Sequence, residues 1–268
     1  MKISVITPFY NGSKFIKKCI QGVQSQSVTD FEYIIIDDGS EDEELLMLKG
    51  ASKEFSNVTI FSTKNEKQAA AVNFGIKQAG GEYIAFCDQD DWWLPEKLEK
   101  QAKFLDEHQD IDLVYSDAFL GDEAGTLRHE TWMQSRKVFV CTGGYTECAK
   151  KLFERNFICA PLVVMVRSNA LLAIGGINEQ YTSAYDYDLW FRLLEWGSKF
   201  AYLDEPLAVW RSHSQNESGD VRRAKKIQTK ILLNFLIRNK KFVFKHPILV
   251  VIKFFRILLG FLVNYNPY

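Results

Sequence analysis

Four times before residue 87 a short apolar run, rich in β-branched residues, gives way to a helical pattern or a turn. The runs cover 2–7, 31–36, 58–62 and 82–86. Between them, Phe15, Ile16, Cys19, Ile20 and Val23 recur at helical spacing behind Ser13, which is placed to cap that helix. Residues 41–55 read as a second helix, and the Ala-rich stretch 68–79 as a third, closed by Gly80-Gly81. A crossover of helix length returns the next strand parallel to the last. The expectation is therefore an α/β chain with a Rossmann-like, mostly parallel central sheet flanked by helices. No G-x-G-x-x-G follows the first strand, so neither a standard dinucleotide site nor a phosphate-binding P-loop is supported.

On a parallel sheet the loops after the strands share one edge, where ligands bind. Two of these loops are acidic: Asp37-Asp38-Gly39-Ser40 and Cys87-Asp88-Gln89-Asp90-Asp91-Trp92-Trp93. Asp88 and Asp90 are two apart, so in an extended segment their side chains point the same way. Hard oxygen ligands suit Mg²⁺ or Mn²⁺, above all when a substrate diphosphate supplies further oxygens. Asp-rich turns also form for local reasons, and Asp91 is near enough to Pro95 and Glu96 to cap a helix. Both readings stand on the acidic cluster alone.

The second half is less regular. After a strand at 113–117 the pattern lapses until about Gly144, as a substrate-covering loop or a disordered insertion would. Then come a helix at 145–155, a strand at 162–166, and a short helix at 170–174 behind Ser168, ended by Gly175-Gly176. In Tyr185-Asp186-Tyr187-Asp188-Leu189-Trp190 the apolar positions Leu189, Trp190, Leu193 and Leu194 make a helical core face. Asp186 falls near the helix start, where the dipole favours an acid and where a general base could also stand. Short strands around Glu205-Pro206 lead to Trp210-Arg211-Ser212-His213, whose His is either solvated or a ligand to metal or phosphate.

Charge divides the chain. From Asp220 onward there are eleven Lys or Arg against one acid, net +10, which leaves −11 on residues 1–219. After Pro247, residues 248–263 are apolar except for Lys253, Arg256 and Gly260, which share one narrow helical face. A spanning helix needs roughly 20 apolar residues. The expectation is an amphipathic helix in a bilayer interface, its basic residues against anionic headgroups. Packing on the domain or on a second subunit is the other reading. Five cysteines without a C-x-x-C pair argue for reduced thiols in the cytosol and against zinc, and the first residues lack a signal peptide's apolar length.

Together these stretches resemble the family 2 glycosyltransferases, inverting enzymes with the GT-A fold, over about residues 2–218. Val5-Ile6-Thr7-Pro8-Phe9-Tyr10-Asn11 is similar to the first-strand motif, whose loop holds the nucleoside. Asp38 stands where the family contacts the base, Asn73-Phe74-Gly75 where a run precedes the metal motif, and Asp88-Gln89-Asp90 at the DxD signature. The resemblance implies nucleotide contacts from Pro8, Tyr10, Asn11, Asp38, Asn73 and Asp88. It implies Mn²⁺ or Mg²⁺ held by Asp90, Asp88 and His213, a catalytic base at Asp186, and phosphate or acceptor contacts from Arg211 and Trp190. Three positions depart from the pattern: Tyr185 where an acid commonly precedes the base, Val72 where Arg is common, and Lys67 where Gly is frequent.

The expected protein is a glycosyltransferase domain over 1–218 with a membrane-associating helical extension over 219–268. It would lie on the inner face of the cell membrane and pass sugar from a nucleotide-sugar, UDP- first and dTDP- next, to a saccharide or lipid-linked acceptor. A nucleotidyltransferase would want a Gly-rich, Arg-containing loop where Pro8–Gly12 stands. An inactive membrane-bound scaffold would not need Asp38, Asp88, Asp90, Asp186 and His213 together. Nucleic acid is not expected as a partner, because it would leave the tail's apolar residues without a role.

Overall fold

The structure, a computed structural model, describes residues 2–214, 216 and 221–262. The alternating first half forms β1 (Ile3–Phe9), α1 (Ser13–Gln24), β2 (Phe31–Asp37), α2 (Asp42–Ser52), β3 (Val58–Ser62), α3 (Gln68–Gln78) and β4 (Tyr83–Phe86). In the sheet these strands stand in the order β3-β2-β1-β4, all parallel, with Ile3 between Phe31 and Tyr83. Every residue of β1 is buried, as in a strand covered on both faces.

Beyond β4 the direction becomes mixed. β5 (Trp92–Trp93), α4 (Lys97–Glu107), β6 (Leu113–Gly121), β7 (Leu127–Thr131), α5 (Trp132–Arg136) and α6 (Tyr145–Glu154) follow. Then come β8 (Val164–Arg167), α7 (Ser168–Ala173), α8 (Tyr185–Trp196) and β9 (Phe200–Arg211). β8 runs antiparallel to both β4 and β6, β6 runs parallel to β9, and β5 and β7 are antiparallel additions. The mostly parallel character is thus confined to the first four strands, where each crossover is a helix. β6 instead folds straight back through Asp122–Thr126, so part of the irregular stretch is a hairpin.

Other local readings change as well. Ser13 and Ser168 are first residues of their helices and cap neither; the Ser13 hydroxyl donates to Glu44 Oε1 at 2.9 Å. Trp92 and Trp93, part of the acidic loop in sequence, form a short strand that pairs with Val209 and Ala208. One strand passes through Pro206, with register shifts opposite Asp117 that absorb the missing N–H.

Lys97 is wholly buried, its ammonium 2.7 Å from Gln101 Oε1 and 4.2 Å from the Trp93 ring centre. Burial pulls its pKa down to about 7 from 10.5. Between those values the unfolded chain binds the extra proton, so stability rises with pH from about 7 to 10.5, by at most about 1.4 kcal/mol per unit. Lys97→Met should flatten the rise. Melting curves of the two proteins that stay parallel across this window would contradict it.

The tail forms α9 (Val221–Arg238), α10 (Lys240–Lys245) and α11 (Pro247–Leu262). The expected boundary at 218/219, like Val263, lies outside the described residues. α9 is part of the core: Ile231, Leu232 and Phe235 are buried, with Phe235 ringed by Phe153, Phe191 and Phe242. In α11 the basic residues do not share one face toward solvent. Lys253 turns inward and donates to the Glu154 carbonyl at 3.1 Å, at the end of α6, where carbonyls lack helical partners. Arg256 is exposed. So are Val251, Ile252, Phe255, Leu258 and Leu259, which put an apolar face outward. Among the described residues no helix is long and apolar enough to cross a membrane.

Candidate active site

A cavity of about 750 Å³ opens where β1, β2 and β4 end. Pro8, Tyr10, Asn11, Asp38, Asp88, Asp90, Asp186 and His213 all line it. Asn73, Arg211 and Trp190 do not.

β1 leaves the sheet through Asn11, whose φ of 44° suits a short polar side chain. Its amide oxygen accepts from the Glu41 N–H at 3.0 Å, which ties the first loop to the second. Gln89 ties it to the third: Tyr10 N–H donates to Gln89 Oε1 at 2.9 Å, and Gln89 Nε2 donates to Tyr10 O at 3.2 Å. Gly12 makes room for that amide, since a Cβ there would lie 2.3 Å from Gln89 Cδ.

Asp38 is buried and accepts the N–H groups of Glu66 and Lys67, each at 2.9 Å, and the Thr63 hydroxyl at 3.2 Å. These bonds hold Lys67 at a φ of 81°, a conformation costly for any residue with a Cβ. That accounts physically for a glycine at this position elsewhere.

Residues 88–91 close a turn, Asp91 N–H donating to Asp88 O at 3.1 Å, rather than extending. Asp88 accepts from Gln68 Nε2 at 2.9 Å. Asp91 is buried and accepts the Arg211 N–H at 2.7 Å, so it fastens β5 to β9 and caps no helix. Burial first, then the charges of Asp90 and Asp88, push its pKa well up. Arg211 Nε donates to the Asp90 carbonyl at 2.6 Å, and its guanidinium sits 4.9 Å from the rings of both Phe15 and Trp92. It braces the turn from behind and offers the cavity no phosphate contact.

In front of the turn, Asp90 Oδ2 lies 2.7 Å from His213 Nε2. A carboxylate and an imidazole this close fit neighbouring positions on a divalent ion that takes its remaining ligands from substrate oxygens or water. Among the described residues no group of three or more His, Cys, Asp or Glu could hold a metal by itself.

Asp186 is the second residue of α8 and faces the cavity. Burial raises its pKa to about 6, against the lowering effect of the Tyr187 N–H and its own. Trp190 is fully buried on the core side of that helix and has no route to an acceptor. Asn73 spends its amide on Ile177, donating to the carbonyl at 2.8 Å and accepting the N–H at 2.7 Å, so it pins α3 to the loop before α8.

Several cavity residues escaped the sequence reading. Gln89 looked like a spacer between two acids. Trp132, Arg136, Val138 and Arg155 line the wall from the stretch without periodicity and its neighbouring helix, which offered no signal.

The model of the family described as Glycosyl transferase family 2 matches residues 4–175. The chain is 30% identical over 234 residues to the amylovoran biosynthesis glycosyltransferase AmsB of Erwinia amylovora, covering 83% of this chain and 75% of that one. Its fold matches that of TarS from S. aureus, solved with UDP-GlcNAc, with a TM-score of 0.67 and 21% identity over 90% of this chain and 73% of that one. The mannosyltransferase PcManGT from Pyrobaculum calidifontis, solved with GDP-Man and Mn²⁺, also gives 0.67, at 15% identity, over 86% of this chain and 62% of that one.

Proposed function

Because this glycosyltransferase belongs to family 2, we propose that it is a metal-dependent, inverting enzyme. It moves a sugar from a nucleotide-sugar, UDP- first and dTDP- next, to a hydroxyl of a saccharide or lipid-linked acceptor in cell-surface polysaccharide synthesis. The observation that carries this reading is that Asp186 and the Asp90–His213 pair share one cavity with the Asp38 loop.

Pro8, Tyr10, Asn11 and Asp38 hold the nucleoside, and Asp88 the ribose or the metal. Asp90 and His213 would hold Mn²⁺ or Mg²⁺, which when bound would supply positive charge against the departing diphosphate. Asp186 takes the proton from the acceptor hydroxyl as its oxygen bonds to the anomeric carbon and the diphosphate leaves. A single displacement inverts that carbon and needs no enzyme nucleophile. The Mn²⁺ of the similarly folded PcManGT, the UDP-GlcNAc of TarS and the amylovoran biosynthesis role of AmsB agree with this reading.

The pH profile tests it. The base must be ionised, so release of nucleotide from donor and acceptor should rise through about pH 6 and level off above, and EDTA should abolish it. A rate independent of pH between 5 and 7 would count against Asp186 as the base.

The apolar face of α11 supports a peripheral position on the inner face of the cell membrane. Burying one large apolar side chain is worth ~1.5–3 kcal/mol. Phe255→Asp should therefore weaken partition to vesicles by about tenfold or more, and unchanged partition would remove the membrane from the account.

A further inference from the structure

Two arginines on the cavity wall have no part in this chemistry. Arg136 ends α5, and Arg155 immediately follows α6. Among the described residues neither guanidinium makes a hydrogen bond or an ion pair. The proposed function puts the donor's diphosphate at the metal that Asp90 and His213 would hold, and it uses neither arginine. A planar guanidinium is built for forked hydrogen bonds to phosphate or carboxylate. Two of them lining a substrate cavity call for an anion on the second substrate.

The position of Arg155 narrows the choice. The carbonyl of its neighbour Glu154 accepts from the Lys253 ammonium at 3.1 Å, so α11 packs against the end of α6 beside Arg155. The fields of Arg256 and Arg155 both act on Lys253. The outer side of α11 is the apolar face of Val251, Ile252, Phe255, Leu258 and Leu259. The helix that packs beside Arg155 thus carries an exposed apolar face, the pairing an amphiphilic anion would need.

We propose that Arg136 and Arg155 bind the phosphate or diphosphate that joins the acceptor saccharide to a lipid, whose hydrocarbon runs into the bilayer that α11 faces. This rests on the transferase reading and deepens it. The linking phosphate is held at one end while the sugar's free hydroxyl reaches Asp186. An acidic soluble saccharide would meet the same arginines but would gain nothing from α11.

The test is titration calorimetry on the full chain with farnesyl diphosphate, inorganic diphosphate and farnesol, in EDTA and without nucleotide, so that the donor subsite is silent. Farnesyl diphosphate should bind more tightly than either other probe. Arg136→Gln and Arg155→Gln should each weaken it about tenfold, as loss of a charge-assisted hydrogen bond does. Binding of UDP with Mn²⁺ serves as the check that both variants are folded and that the donor subsite exists. If none of UDP, dTDP, GDP and CMP binds the wild type with Mn²⁺, the transferase reading falls while the anion result stands on its own. Equal affinity for farnesyl and inorganic diphosphate, both lost in the variants, overturns the lipid and leaves an acidic soluble acceptor. No binding of farnesyl diphosphate, or affinity unchanged in the double variant, overturns the proposal.

Discussion

Asp186→Asn should lower turnover by about 10²–10⁴-fold and leave donor affinity nearly unchanged. The side chains are the same size, so α8 and the cavity wall keep their shape. An amide has no basicity to accept the acceptor's proton. Burial already holds the carboxyl at a pKa of about 6, which is to say that its charge is costly where it stands. Removing that charge relieves the cost, so the variant should melt at or above the wild-type temperature at pH 8. Steady-state release of nucleotide, with calorimetry for donor binding, separates the two effects. A loss under about threefold would mean that another group takes the proton.

Asp90→Ala should abolish metal-dependent binding of the donor nucleotide and cost turnover about 10²-fold or more, the scale of losing one preorganised contact to developing charge. The reason the fold should survive is specific. Arg211 grips this residue through its backbone carbonyl, and Asp91 carries the strand-to-strand bond. Neither contact uses the Asp90 side chain, so melting should shift little. His213→Ala removes the other half of the pair and should give a similar but smaller loss. Nucleotide binding that keeps its dependence on Mn²⁺ in Asp90→Ala would place the metal elsewhere.

The first half of the chain is legible because each of its strands is followed by a helix long enough to carry the chain back across the sheet. That periodicity predicts parallel strands, which the structure sets in the order β3-β2-β1-β4, and it brings the Asp38 and Asp88–Asp91 loops to one edge. The second half has no such constraint. β6 finds β9 across some eighty intervening residues, and β5 is only two residues long, so its pairing is decided by tertiary packing. Trp190 shows where two kinds of sequence reading diverge. Helical spacing put it on the core face, and there it is; only resemblance suggested an acceptor contact. Asn73 fits its motif in sequence yet faces away from the cavity, held by Ile177 and by Gly176, where a Cβ would come within 2.5 Å of its amide oxygen. Arg211 likewise lies in its motif but is drawn behind the acidic turn by the Asp90 carbonyl and two aromatic rings. Residue type and spacing find the acidic loops; which way a side chain turns depends on partners that are distant in sequence.

The most direct test of the account is calorimetry of UDP, dTDP, GDP and CMP with the wild-type protein, each with Mn²⁺ and with EDTA. The account predicts that one nucleoside diphosphate, UDP first, binds with Mn²⁺ and loses most of its affinity in EDTA. No binding of any nucleotide by the folded protein would contradict it and leave an inactive scaffold of the same fold.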